Sequence, residues 1–320
     1  MEGKVPLVME KGISMNNSMQ QLEKRQPITR ILAATIKTGI IKSNLFPMFA
    51  GLTLALYTYD YSILDKIPAI LFALFGSIFI IGSAGAFNNI YDRDIDSIME
   101  RTKTRPTVTG DITTKSVLIL ATVMGLVGII LLSLATPLAG LLGFLGWFFY
   151  VVPYTMWTKR RTIYNTEVGS ISGAMPPLIG WAAIHPDILH PAILGLFVIQ
   201  VIWQMPHFYA IAIRKHDDYK AANVPMLPVV KGIRRTYLQT NVYLVLLILT
   251  SFLFWPLSPG LTLVSLLLGI GWLILSIYGY KKMDPKKWAN TLFAYSLIHM
   301  TVLFSTVIIY SLVGIIFNLK

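Results

Sequence analysis

Residues 68–96 read PAILFALFGSIFIIGSAGAFNNIYDRDID. From Pro68 through Tyr91 there is no charged side chain. As a helix rising 1.5 Å per residue, that run crosses the roughly 30 Å hydrocarbon core of a bilayer. The sequence then switches at once to Asp92-Arg93-Asp94-Ile95-Asp96. A membrane helix that ends in three carboxylates has placed its chemistry at the bilayer surface.

The rest of the chain continues the same pattern. Hydrophobic residues make up 55% of its 320 residues and charged residues 13%, about half the roughly 25% of soluble proteins. With a mean hydropathy of +0.64, a soluble enzyme is excluded. The chain has no Cys, which removes disulfides, thiolate zinc sites, iron–sulfur clusters and Cys nucleophiles. Nine stretches are long and apolar enough to span: 38–58, 68–91, 115–135, 137–157, 167–184, 191–213, 237–255, 259–280 and 291–314. The fifth is short and rich in Gly and Pro. The reading is an all-α integral membrane protein with nine transmembrane helices. Residues 1–30 are polar, hold Glu2, Glu10 and Glu23, and lack an apolar run. They read as a cytoplasmic tail without a secretory or transit signal, followed by a membrane domain over 31–320.

Charge sets the orientation. With the N-terminus in the cytoplasm, the basic residues gather in the tail and the loops after spans 2, 4, 6 and 8. Only Lys66 and Lys320 of the 27 Lys and Arg fall on the other side. That is the segregation the positive-inside rule requires. The two long cytoplasmic loops, 92–114 and 214–236, are also rich in Asp, Lys and Arg, so the function is expected at the cytoplasmic mouth of the bundle.

Asn88, Asp92 and Asp96 are spaced by four. Each step turns about 400° and rises about 6 Å, so the three side chains form a ladder on one face while Asp94 points away. Three oxygen donors on a rigid helix suit Mg²⁺, which takes few carboxylates and completes its shell with water and substrate phosphate. A solvated helix end whose acids pair with Arg93 or Arg101 is the plainer reading of the same spacing. The loop that follows, Glu100-Arg101-Thr102-Lys103-Thr104-Arg105-Pro106, supplies three bases within five residues. Acids for a metal followed by Arg101, Lys103 and Arg105 for phosphate oxygens is what a departing diphosphate needs.

The ladder resembles the first metal motif of the UbiA superfamily of intramembrane prenyltransferases. Within that superfamily the string DRDIDSIMERTKTRP is similar to the haem O synthase (protohaem IX farnesyltransferase) branch. So are TKRRTIYNTEVGSISGAMPPLIGW (158–181) and WQMPHFYAIAIRKHDDYKAANVPMLPVV (203–230). The resemblance runs from about residue 30 to 315 and implies a helical bundle around a central cavity. It implies transfer of a farnesyl group from farnesyl diphosphate to a vinyl group of protohaem IX, with Mg²⁺ as cofactor. Further implied partners are the lipid bilayer and haem A synthase or oxidase assembly factors, with no nucleic acid. The expected location is a bacterial plasma membrane.

Many relatives carry a second Asp-rich motif at the end of helix 6, where this chain has His207, Arg214, Lys215, Asp217 and Asp218 with Ile at 213. At 100° per residue Gln200, His207, Arg214 and Asp218 lie within about 20° of one line. His207 is the candidate to orient haem or relay a proton, and Arg214 and Asp218 to meet phosphates at the mouth. Lys159 and Arg160 suit diphosphate or haem propionates and serve equally as membrane anchors. Lys42 and Asn44, inside span 1, either complete the phosphate site or, for Lys42, snorkel to the surface. Two rival functions share parts of this pattern. A prenyltransferase acting on an aromatic quinone precursor would use the same ionisation. A cation transporter would place its acids nearer the midplane on broken helices.

Overall fold

The computed structural model describes residues 26–318, so most of the expected tail over 1–30 lies outside the described residues. Among the described residues eight helices are long and apolar enough to cross a membrane, and the chain is a multi-pass membrane protein. A short helix, α1 (Ile28–Thr35), leads into the first span, α2 (Thr38–Thr58). The second span is α3 (Ile67–Tyr91), extended by α4 (Arg93–Ile98). A single turn, α5 (Pro106–Thr109), precedes α6 (Thr114–Ala135) and α7 (Pro137–Phe149).

The expected fifth span is two short helices, α8 (Asn165–Gly173) and α9 (Met175–Ala182). Pro176 and Pro177 lack the N–H groups that would continue the α8 ladder, so the chain restarts there. Then come α10 (Pro191–Arg214), the short α11 (His216–Ala221), α12 (Leu227–Thr250), α13 (Pro259–Lys282) and α14 (Pro285–Ile316). The nine expected spans thus stand as eight long helices and one broken one.

Each span packs on the next, and α14 packs both on α10 and on α2, so the order closes into a ring. Small residues set the closest approaches. A Cβ on Gly128 of α6 would lie 2.7 Å from the Ile80 nitrogen of α3. Between α2 and α9 a Cβ on Gly51 would overlap the Pro177 carbonyl, and one on Gly180 that of Met48. Lipid tails are as apolar as the helices, so close van der Waals packing must hold such spans together. The first of these contacts fixes α3 against α6, and α3 packs on α2 and α7 as well, which holds the ladder in place.

Candidate functional site

The helix is interrupted at Asp92, between α3 and α4, but the backbone hydrogen-bond ladder carries across it. Asp92 N donates to Asn88 O and Asp96 N to Asp92 O, at 2.9 and 2.8 Å, although Asp92 itself departs slightly from helical geometry. Asn88, Asp92 and Asp96 therefore share one face, and all three are buried. Asn88 Nδ2 donates to Asp92 Oδ2 at 2.7 Å and to Thr155 Oγ1 at 3.0 Å. Buried carboxylates are costly unless paired with cations and hydrogen-bonded.

Two cations, Lys159 and Arg105, provide that pairing, and a third, Lys37, meets the amide of the ladder. Lys37 Nζ donates to Asn88 Oδ1, Lys159 Nζ to Asp92 Oδ2 and Arg105 to Asp96 Oδ2. Each is aimed by a local feature of its own. Lys37 joins α1 to α2 in the left-handed region (φ 57°), which costs a non-Gly residue roughly 1–2 kcal/mol. Asn89 Nδ2 donates to Thr35 O at 2.8 Å and holds the end of α1. Gly85 leaves room for the Lys37 stem, since a Cβ there would sit 3.4 Å from Lys37 Cβ and 3.1 Å from Ile36 O. Burial, with Arg105 and Lys159 close by, pushes the Lys37 ammonium well below its ordinary value.

Lys159 follows a π-helical segment, Tyr150–Thr158, that continues α7. Pro153 lies within it, and Lys159 N reaches back to Tyr154 O at 2.9 Å. The wider turn puts Thr155 and Lys159 on the face toward α3; single π turns recur at functional sites. Arg105 is turned back by the 99–105 loop, where Thr102 Oγ1 donates to Asp96 O at 3.0 Å.

Around this centre lies a rim. Arg160 forms a two-pronged pair with Asp94, 2.7 Å on each side, and donates to Tyr91 O at 2.8 Å. Its Nη2 is 3.6 Å from Asp92 Oδ1. That fork holds the exposed Asp94 carboxyl below the usual carboxylate range. Arg101 lies over the Tyr219 ring and donates to its hydroxyl at 3.3 Å, and Lys103 pairs with Glu100 at 2.5 Å. Asp218 accepts from Glu100 N at 3.2 Å and ties the two cytoplasmic loops together. Arg105 thus reaches the ladder, while Arg101 and Lys103 do not.

The helix 6 stripe divides. Lys215 ends α10, so Asp218 belongs to α11 and its angle does not follow from one continuous helix. Gln200 donates to Gly173 O of α8 at 3.4 Å. His207 turns instead to α14, where its Nδ1 shares a 2.7 Å hydrogen bond with Ser296 Oγ. Its ring stacks between Trp203 at 4.6 Å and Phe293 at 5.2 Å. Arg214 covers the Phe293 ring at 4.2 Å. Lys215 is exposed, and exposed Asp217 pairs with His216. Lys42 is exposed, and Asn44 donates to Ile40 O within its own helix at 2.8 Å. None of these residues is bonded to the ladder. Sequence reasoning missed Lys37 and Thr155 there.

The residues present fit Mg²⁺. The donor set is all oxygen, as a hard cation requires, and Asp92 Oδ1 is buried without a hydrogen-bond donor. Among the described residues no group of three or more His, Cys, Asp or Glu could hold a metal. With two carboxylates and an amide, the remaining coordination would have to come from water and a phosphate.

The model of the UbiA prenyltransferase family matches residues 44–298. Protoheme IX farnesyltransferase 1 of Bacillus cytotoxicus is 74% identical over 288 residues, covering 90% of this chain and 94% of that protein. Protoheme IX farnesyltransferase 2 of Lysinibacillus sphaericus is 62% identical over 315 residues, covering 97% and 100%. Among solved structures, a digeranylgeranylglyceryl phosphate synthase superposes with a TM-score of 0.70 at 17% identity, covering 88% of this chain and 98% of that one. A UbiA homolog from Archaeoglobus fulgidus bound to GPP and Mg²⁺ does so at 0.64 and 12%, covering 87% and 99%. At such identities the structures speak for the fold.

Proposed function

The chain belongs to the UbiA prenyltransferase family, and from that membership and the cation-ringed ladder we infer that it farnesylates protohaem IX. Farnesyl diphosphate is the donor and a haem vinyl group the acceptor. The high identity to two protoheme IX farnesyltransferases supports the acceptor. The observation that carries the site is the buried line Asn88, Asp92 and Asp96 with Lys37, Lys159 and Arg105 on it.

Mg²⁺, when held by Asn88, Asp92 and Asp96, supplies charge that stabilises the diphosphate as it leaves. Lys37, Lys159 and Arg105 exchange their carboxylate and amide partners for phosphate oxygens as substrate binds, so they are already in place when charge develops. Arg160, Arg101, Lys103 and Arg214 line the mouth for the outer phosphate or the haem propionates. The C1–O bond of farnesyl diphosphate breaks and its electron pair leaves on the diphosphate. The vinyl π electrons then bond to C1. Water adds to the resulting cation beside the porphyrin and loses a proton, giving a hydroxyethylfarnesyl side chain. The apolar walls keep water from the allylic cation until that bond forms. His207 positions the ring of the acceptor from the α10–α14 side.

The site then faces the cytoplasm of a bacterial cell, with residues 1–30 as a cytoplasmic tail and 31–320 as the membrane domain. Haem A synthase or oxidase assembly factors would take the product. Mass spectrometry of haem after incubating the purified protein with farnesyl diphosphate, Mg²⁺ and protohaem tests the acceptor. A gain equal to farnesyl plus hydroxyl is the expected result. Unmodified haem, with prenylation of an aromatic acid supplied in a parallel incubation, would point to quinone-precursor chemistry.

A further inference from the structure

On the face of α3–α4 away from the ladder lies an open cleft of about 540 Å³, lined by Ile90, Tyr91, Arg93, Asp94, Ser97 and Val108. Its depth in the membrane follows from its residues. Tyr91 is the last residue of a spanning helix, so Arg93, Asp94 and Ser97 lie just beyond the hydrocarbon, at headgroup level. Ile90 and Val108 give the cleft apolar walls. Beside it α1 packs on α5, the turn that carries Val108, and Ile28 and Leu32 of α1 remain exposed. A short helix showing apolar side chains at a span's end is an interfacial element.

The charge in the cleft is unbalanced. Its one carboxylate, Asp94, is taken by the two-pronged pair with Arg160. Arg93 is exposed and has no acidic partner among the described residues. Ser97 donates to Asp94 O at 2.6 Å, and the Tyr91 hydroxyl to Met156 O at 3.2 Å. What remains is one free guanidinium above apolar walls, the reverse image of a lipid phosphate above its acyl chains.

We propose that this cleft holds the headgroup of an anionic phospholipid, with Arg93 donating to its phosphate. A guanidinium is suited to that role because its forked donors match phosphate oxygens. The site is separate from the ladder, which faces the opposite way, and the proposal does not depend on the reaction assigned above.

Native mass spectrometry of the full chain tests it, after release from nanodiscs of mixed phosphatidylcholine and phosphatidylglycerol. Arg93→Gln should lower retained phosphatidylglycerol about fivefold, what roughly 1 kcal/mol per basic residue corresponds to. Ser97→Trp, which fills the cleft and leaves the charge, should lower it as much. Arg234→Gln, another exposed basic position, should leave it unchanged. Farnesyl diphosphate added in excess should not displace the lipid. Retention unchanged in Arg93→Gln or in Ser97→Trp would overturn the proposal, as would an equal loss in Arg234→Gln. Displacement by farnesyl diphosphate would assign the cleft to the prenyl substrate instead. Unchanged melting temperatures in neutral lipid guard against reading misfolding as lost binding.

Discussion

Lys159 and Asp92 are a buried ion pair in which each partner is costly without the other. Removing one member of such a pair costs roughly 3–5 kcal/mol. Lys159→Met should therefore melt well below the parent protein in EDTA. If Asp92 is a Mg²⁺ ligand, added Mg²⁺ should return much of the loss and raise the melting temperature of the variant more than that of the parent. Equal shifts in both would deny Asp92 that role. Asp94 acts at one remove. It holds the Arg160 guanidinium beside Asp92, so Asp94→Asn should raise KM for farnesyl diphosphate several-fold with little change in kcat, and Asp94→Glu should restore it. A fall in kcat alone would contradict that reading. The ladder was legible because a spacing of four follows the local helical hydrogen bonding that runs from α3 into α4. Lys37 was not, because it meets Asn88 across 51 positions through a left-handed residue with no local signal. Lys42, inside a span, looked the better candidate, yet its position on α2 turns it outward.

Two elements do more than their hydropathy announces. The π-helical segment Tyr150–Thr158 was readable only as the end of a span, and its wider turn is what aims Lys159. The broken fifth span was readable from its Gly and Pro content, but not what its glycines touch. Gly180 and Gly51 bring α9 and α2 to backbone contact. Gly180→Val should cost about 1–3 kcal/mol by overpacking and lower the detergent melting temperature. Gly39→Ala, where an added Cβ meets nothing within 4 Å, should not. Comparable losses at the two positions would mean that the α2–α9 contact is looser than described. Gly85→Ala should spare most of the fold while moving Ile36 and Lys37, so a weakened affinity for farnesyl diphosphate at near-normal melting temperature is expected.

The whole molecule places its chemistry at one end. The ladder, its three cations and the joined loops around Glu100 and Asp218 all lie where the charge count puts the cytoplasm. The opposite end is held by aromatic contacts, such as Tyr59 stacked on His185 at 3.4 Å. The chain has no Cys, so single Cys probes read the topology directly. In intact cells an impermeant maleimide should label Cys at exposed Leu64 or Leu189 and leave positions 103 and 220 unmodified. The opposite pattern would invert the molecule. The orientation rests on charge segregation, which sums over many loops. The pairing of the loops was not legible, since it rests on single bonds between residues far apart in sequence. In the proposed reaction prenyl diphosphate ionises on the buried face of α3. Single-turnover diphosphate release from Mg²⁺ and farnesyl diphosphate in the presence of protohaem, in Asp92→Asn and Asp96→Asn, tests it most directly. Losses of at least about 10²–10³-fold are predicted for both, the scale of removing one preorganised electrostatic group. Release near the parent rate in either variant would rule out ionisation on that face.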